Sequence, residues 1–95
     1  RRDFTCECLK RYFNEAIRFK KPCGGLAIWI EFQPSISLIQ LAEEVSKLNV
    51  FLPKTILYQD KNTCAIRFGF GHMSEEEIEI VINKLNLAYN SIIKS

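Results

Sequence analysis

The sequence predicts an α+β domain in which helices pack on one face of a small, mostly antiparallel sheet. Two segments, residues 26–32 and 64–70, are rich in β-branched and aromatic residues and have the length of strands. Three other segments repeat their apolar residues at helical spacing. Helices therefore alternate with extended segments, but the strands are too few for a doubly wound parallel sheet.

The composition fits one domain over residues 1–95, because 47% of the chain is hydrophobic and 25% is charged. A net charge of +2 provides no concentrated basic face for nucleic acid. No apolar run approaches the length of about 20 residues that a membrane span needs, and the charged beginning does not resemble a signal peptide. Since Met73 is the only methionine and the chain begins with Arg1, we expect a fragment of a longer cytoplasmic protein.

The first half of the chain predicts a long helix and a central strand. The helix is expected from residue 2 to about residue 20, because cations at 20 and 21 suit its end and Pro22 cannot continue it. Gly24 and Gly25 predict a tight turn. The strand at 26–32 is apolar on both faces until Glu31, which is typical of a covered, central strand. The stripe of the helix consists of Leu9, Tyr12, Phe13, Ala16 and Ile17.

Two more helices are predicted from their capping residues. Ser37 precedes the second helix, and Gln40 completes a capping box three residues later. Asn49 is placed to end that helix in the left-handed conformation. Ser74 precedes the last helix, with Glu77 in the corresponding position. The buried side of the last helix is expected to carry Ile78, Val81, Ile82, Leu85, Ala88, Tyr89 and Ile92.

The chain between these helices predicts three extended segments. A short strand is expected at 50–52, followed by a second extended piece at 56–58. Polar residues at 59–62 predict a turn. The third strand is the apolar segment 64–70, which leads to the last helix.

Arg67 is the first candidate for a functional residue. The alternation in segment 64–70 places it between Ala65 and Gly69, on the face opposite to the apolar side chains. The small neighbours leave room for a ligand, and a guanidinium is a planar fork matched to a carboxylate or a phosphate. The alternative is a solvent-facing arginine or one paired with Glu31. On periodicity alone this alternative is favoured, because single charges are common on strand faces.

The remaining chemistry-bearing residues form no complete active site in the sequence. His72 has no acidic or nucleophilic partner nearby, and the glutamates at 75–77 are explained by the electrostatics of a helix start. Trp29, Phe32 and Tyr12 could line a pocket, although aromatic residues at such spacings are usually core. Neither glycine pair has the spacing of a phosphate-binding loop, and no lysine is singled out as a nucleophile.

The four cysteines are expected to be reduced thiols without metal. Cys6 and Cys8 have the spacing C-x-C, Cys23 follows a proline, and Cys64 lies in an apolar strand. Zinc sites usually contain paired C-x₂₋₄-C units or added histidines, and this pattern has neither. We therefore expect Cys64 to act as a small buried apolar residue.

Four segments, in this order and spacing, resemble the C-terminal small domain of fold-type-I pyridoxal-phosphate (PLP) proteins. They are residues 1–3, which open a helix, 22–31 (PCGGLAIWIE), 66–70 (IRFGF) and 73–78 (MSEEEI). More narrowly, the chain resembles the MocR-type branch of aminotransferase-like proteins. In that branch a GntR-like winged-helix DNA-binding domain is fused to an aminotransferase-like domain.

The resemblance implies a role for Arg67 as the arginine that binds the α-carboxylate of the amino acid joined to the cofactor. It implies pyridoxal 5'-phosphate as the cofactor, held mainly by a large domain outside this chain, which also supplies the cofactor-bearing lysine. Gly24 and Gly25 would form the tight turn of the family. The sequence departs from the family after Pro53, where a proline-glycine step is usual, so no role is assigned to Tyr58.

The favoured function is therefore part of the effector domain of a MocR/GntR-type transcriptional regulator. Its ligand would be an amino acid or amine, DNA would be bound only through an N-terminal domain outside this chain, and the full-length protein would form a homodimer. One alternative is the small domain of a catalytic PLP-dependent aminotransferase. A second is a free-standing α+β interaction domain without a cofactor.

Overall fold

The computed structural model describes residues 2–13, 17–20, 27–33 and 35–94. The predicted turn at Gly24-Gly25, together with Pro22 and Cys23, lies outside these residues. The elements are, in chain order, α1 (Arg2–Phe13), β1 (Arg18–Lys20), β2 (Ala27–Glu31), α2 (Leu38–Ser46), a 3₁₀ turn (Lys54–Ile56), β3 (Leu57–Gln59), β4 (Cys64–Gly69) and α3 (Glu75–Lys94).

The four strands form one sheet in the order β1-β2-β4-β3, and all its pairs are antiparallel. Both β2 and β4 are therefore internal strands, as predicted for the segment that contains β2. The three helices pack against one face of the sheet, where their apolar stripes join the strands in one core. This arrangement confirms the predicted α+β class.

The core forms because each element presents one apolar side to it. The sheet contributes Ile28, Ile30, Ile66 and Phe68, each at most 4% exposed. The long helix α3 runs across this face and contacts both α1 and α2. Its buried residues are Ile78, Ile82, Leu85, Ala88 and Tyr89, and Val81 and Ile92 are partly buried beside them.

The predicted extent of the first helix was wrong. The helix is described only to Phe13, and residues 18–20 form the edge strand β1. Arg18 and Lys20 stand opposite Glu31 and Trp29 of β2, while Phe19 between them packs against the core. Pairing with a neighbouring strand overrides the helical spacing here, and cations on an edge strand also discourage further pairing. A local pattern could not reveal this partner.

The strand predicted at 50–52 is also absent, and the chain there has no regular structure. The N–H of Val50 donates to the carbonyl of Val45, and the N–H of Asn49 donates to that of Ser46. These two bonds, with φ of 69° at Asn49, close α2 in a Schellman motif. The left-handed Asn49 is thus confirmed, and the backbone of Val50 ends the helix instead of starting a strand.

The predicted N-caps Ser37 and Ser74 are both formed, but the box predicted at α2 is only half formed, because among the described residues the Gln40 side chain makes no bond to the Ser37 N–H. The Ser37 hydroxyl accepts from the N–H of Gln40 at 3.2 Å. At the start of α3 the box is reciprocal: the Ser74 Oγ accepts from the N–H of Glu77, and the Glu77 carboxylate accepts from the N–H of Ser74. Within the described ranges, no helix combines the length and apolar character needed to cross a bilayer.

The side chain of Gln59 joins the edge strand β3 to the start of α2. Its amide oxygen accepts from the N–H of Leu38 at 2.9 Å, and its amide nitrogen donates to the carbonyl of Ile36 at 2.6 Å. The same nitrogen lies 3.6 Å from the Cys64 sulfur. Two backbone groups near a helix start are therefore satisfied by one side chain from another element.

We predict that Gln59→Ala destabilises the domain by about 1–3 kcal/mol, because it leaves the N–H of Leu38 and the carbonyl of Ile36 without this partner. Denaturant unfolding of the two proteins measures the difference. Gln40→Ala is the matched control, since its side chain is exposed on α2. Equal losses in the two variants would show that the Gln59 contacts do not hold α2 to the sheet.

We predict a pH dependence at the start of α3. The N–H of Ser74 donates to the Glu77 carboxylate and lowers its pKa below the ordinary value of 4.5. The contribution of Glu77 is therefore fully present above about pH 4.5 and is lost as the pH falls through the lowered pKa. The difference in melting temperature between the wild type and Glu77→Ala should shrink between pH 7 and pH 3. Glu76→Ala, in the same turn but outside the capping box, is the control.

Candidate functional site

The outer face of the sheet, opposite to the helices, carries the side chain that sequence analysis singled out. In β4 the core face holds Ile66 and Phe68, and the outer face holds Ala65, Arg67 and Gly69. This alternation is the predicted one. Because β4 is an internal strand, its backbone is paired with β2 and with β3 at Ile66, the residue before Arg67. A side chain on such a backbone is held more precisely than one on a loop.

The guanidinium of Arg67 is exposed, and it has space around it. Across the sheet Arg67 stands opposite Trp29 of β2. A side chain built at Gly69 would meet no heavy atom within 4 Å, so the neighbouring position is open. Among the described residues Arg67 forms no ion pair and no side-chain hydrogen bond. The alternative pair with Glu31 is not formed, since that carboxylate accepts from the Trp29 indole instead.

The outer face is cationic over its described strands. The register places Arg18 opposite Glu31 and Lys20 opposite Trp29, so the side chains of β1 at these positions lie on the same face as Arg67. Three cations thus share the face with one carboxylate. An anionic ligand that approaches Arg67 would meet a favourable local field.

An aromatic pair lies beside Arg67. The ring centroids of Trp29 on β2 and Tyr58 on β3 are 5.0 Å apart, with planes inclined by 47°. The two strands flank β4, so the rings meet above Ala65, which is fully buried although it belongs to the outer face. The Trp29 indole N–H donates to the Glu31 carboxylate at 3.2 Å, which fixes the orientation of the ring.

The pocket considered from the sequence, with Trp29, Phe32 and Tyr12 as its lining, is not formed by these three residues. Phe32 is a core residue, 6% exposed, in contact with the ring of Phe13. Tyr12 lies at the contact between α1 and α3. The signal for Trp29 was its position between Ile28 and Ile30, since period-two alternation puts it on the face away from the core.

The contact between α1 and α3 is a polar cluster with a structural role. The Glu79 carboxylate accepts from the Tyr12 hydroxyl at 2.8 Å and pairs with Arg11 at 3.1 Å. The Arg11 guanidinium also lies 3.6 Å from the sulfur of Cys8. Burial raises the pKa of the Cys8 thiol, so this sulfur is a neutral thiol and not a reactive thiolate.

The other residues weighed in the sequence lie apart from Arg67 or on the surface. His72 is exposed in the turn after β4, and the three glutamates of the first turn of α3 are exposed. Cys64 is buried, and burial raises its pKa. In the part of the chain that the structure describes, no group of three His, Cys, Asp or Glu residues could hold a metal ion.

The chain is similar to solved structures of aminotransferases. It matches an archaeal alanine:glyoxylate aminotransferase with 29% identity and a TM-score of 0.78, covering 95% of this chain and 23% of that chain. It matches the kynurenine aminotransferase of Pyrococcus horikoshii with 25% identity and a TM-score of 0.82, covering 99% of this chain and 24% of that chain.

A sequence relative comes from a different functional class. The uncharacterized HTH-type transcriptional regulator YdfD of Bacillus subtilis (strain 168) is 25% identical over 87 residues, which cover 92% of this chain and 18% of the regulator. No protein-family model matches the chain. The chain thus spans less than a quarter of the length of each of these proteins. Fold and relatives together confirm the predicted resemblance to the small domain of aminotransferase-like PLP proteins, and the HTH-type regulator among the relatives agrees with the predicted resemblance to the MocR-type branch.

Proposed function

We propose that this chain is the small domain of a longer, PLP-dependent, aminotransferase-like transcriptional regulator, and that Arg67 binds the carboxylate of its amino-acid effector. The observation that carries the proposal is the exposed guanidinium of Arg67, which has no partner among the described residues and stands beside an open position on an internal strand. A stabilising role would require a carboxylate or a carbonyl at the guanidinium, and the described residues supply none.

The chemistry of Arg67 suits a carboxylate ligand. Its guanidinium can donate two parallel hydrogen bonds to the two carboxylate oxygens, and the pair is stronger than a neutral hydrogen bond. The nearby Arg18 and Lys20 add attraction for the same anion.

The described residues around Arg67 suit an amino acid. The outer face offers a guanidinium for its carboxylate and two aromatic rings for its side chain. In this proposal the cofactor is bound by the rest of the protein. When bound, PLP supplies an electron sink for the α-carbon of the amino acid.

The regulatory part of the proposal rests on the relative that is named an HTH-type transcriptional regulator. An amino acid held at one end by Arg67 and at the other by the rest of the protein would favour the closed arrangement of the two parts. The ligand shifts the equilibrium only by its differential contacts in the two states. A winged-helix domain outside this chain would change its DNA binding in response to that shift. The full-length protein would be a cytoplasmic homodimer.

A second candidate is a catalytic aminotransferase, because the solved structures that match the chain carry that activity in their names. In that case Arg67 positions the substrate for transfer of its amino group. Determining the coding sequence that precedes Arg1 distinguishes the two candidates. A winged-helix segment supports the regulator, and a PLP domain without it supports the enzyme.

We predict that Arg67→Ala in the intact protein weakens amino-acid binding by about a hundredfold, because the carboxylate loses its charged partner. The visible absorbance of bound PLP should be unchanged, since Arg67 does not hold the cofactor. Calorimetric titration of each protein with an amino acid measures the affinity. Arg18→Ala, which removes a cation of the same face two strands away from Arg67, should show a much smaller loss. An unchanged affinity in Arg67→Ala would refute the proposal.

We predict that Gly69→Val leaves the fold intact and weakens the binding of the same ligand at least about tenfold. The open space at Gly69 accepts a side chain, and a β-branched residue suits a strand, so the melting temperature should be equal or higher. The added methyl groups would occupy the space beside the Arg67 guanidinium. Gly69→Ala, with one methyl group, should show a smaller loss. Full affinity in the valine variant would place the ligand elsewhere.

A further inference from the structure

The aromatic pair lies on the outer face and is not part of the hydrophobic core. Trp29 and Tyr58 lie opposite to the helices, and Tyr58 is 41% exposed. Between the two strands that carry them, β4 has the small, fully buried Ala65 opposite Tyr58. Two large rings over one methyl group leave aromatic surface open to an approaching molecule.

The two rings lie to one side of Arg67 on the same face of the sheet. Trp29 stands directly opposite Arg67, and Tyr58 stands opposite Ala65, which is two residues before Arg67 on the same strand face. Residues two apart on one strand face are separated by about 7 Å, the length of an amino acid with a medium or large side chain. A molecule with its carboxylate on Arg67 can therefore lay its other end across the two rings.

The orientation of the Trp29 ring is fixed before a ligand binds. The Trp29 indole is tethered to the Glu31 carboxylate, and Glu31 is itself two residues away on β2. A ring that is already held in place loses little rotational freedom when a ligand packs against it. The entropic cost of binding is therefore smaller than for a freely rotating ring. The same tether engages Glu31, the one carboxylate that the described strands place on this face.

We infer that Trp29 and Tyr58 form the side-chain subsite of the amino acid whose carboxylate Arg67 binds, and that this subsite selects aromatic and large apolar side chains. The inference rests on the proposed function of Arg67 and deepens it. Ring-to-ring contact in tilted or stacked geometry favours an aromatic ligand over an aliphatic one of equal size. The faces of the two rings carry negative partial charge, so they give an acidic side chain no favourable contact.

The test is the ratio of two dissociation constants, alanine over phenylalanine, measured on the intact protein. We expect the ratio to exceed about ten in the wild type and to fall about tenfold in Trp29→Leu and in Tyr58→Leu. The variants Trp29→Phe and Tyr58→Phe keep a ring and should keep most of the preference. Leu87→Ala, on the exposed side of α3, is a remote control.

The outcomes separate this inference from the proposed function. Weaker binding of both ligands in Arg67→Ala, with an unchanged ratio in both leucine variants, would refute the subsite and retain the carboxylate site. Unchanged binding of both ligands in Arg67→Ala would refute the proposed function. A wild type that prefers alanine or aspartate to phenylalanine would also overturn the subsite. If Trp29→Leu fails to fold, Tyr58→Leu carries the test, because Tyr58 lies on the exposed edge strand.

Discussion

The antiparallel pairing of β2 with β4 places Ile28 beside Phe68 and Ile30 beside Ile66, and the helices pack on the surface that these four residues make. The same register determines which side chains are neighbours on the outer face, where Trp29 lies beside Arg67 and Glu31 beside Ala65. Because side chains alternate along a strand, a slip of one residue would bury Arg67 and expose the isoleucines. The cost of burying an unpaired guanidinium therefore enforces the register that also builds the binding face.

The two faces of the sheet follow different physical rules. The core face is explained by burial: Ile28, Ile30, Ile66 and Phe68 are at most 4% exposed, and Phe19 and Leu57 are partly buried beside them. The outer face contains an exposed arginine without a described partner and an exposed ring of Tyr58, and both lie outside the buried core. Residues that local rules of stability leave unexplained are candidates for function. Here they lie on one surface, within reach of one small ligand.

The site differs from a loop-based site in its rigidity. Arg67 and Trp29 belong to neighbouring internal strands, and Tyr58 is held on β3 by the adjacent Gln59, which is bonded to the start of α2. Such elements hold binding side chains more precisely than loops do. In a protein that senses a ligand by domain closure, a rigid half transmits the closure as a whole-body movement.

The sequence by itself determined the fold class, the caps at Ser37, Asn49 and Ser74, and the face on which Arg67 lies. These features depend on local periodicity and on hydrogen bonds within a few residues, so one segment contains all the information. Only the tertiary structure decided that residues 18–20 form an edge strand, that residues 50–52 do not form a strand, and that Trp29 meets Tyr58. Each of these depends on which segment lies alongside, and the side chains that meet across a sheet are distant in the chain.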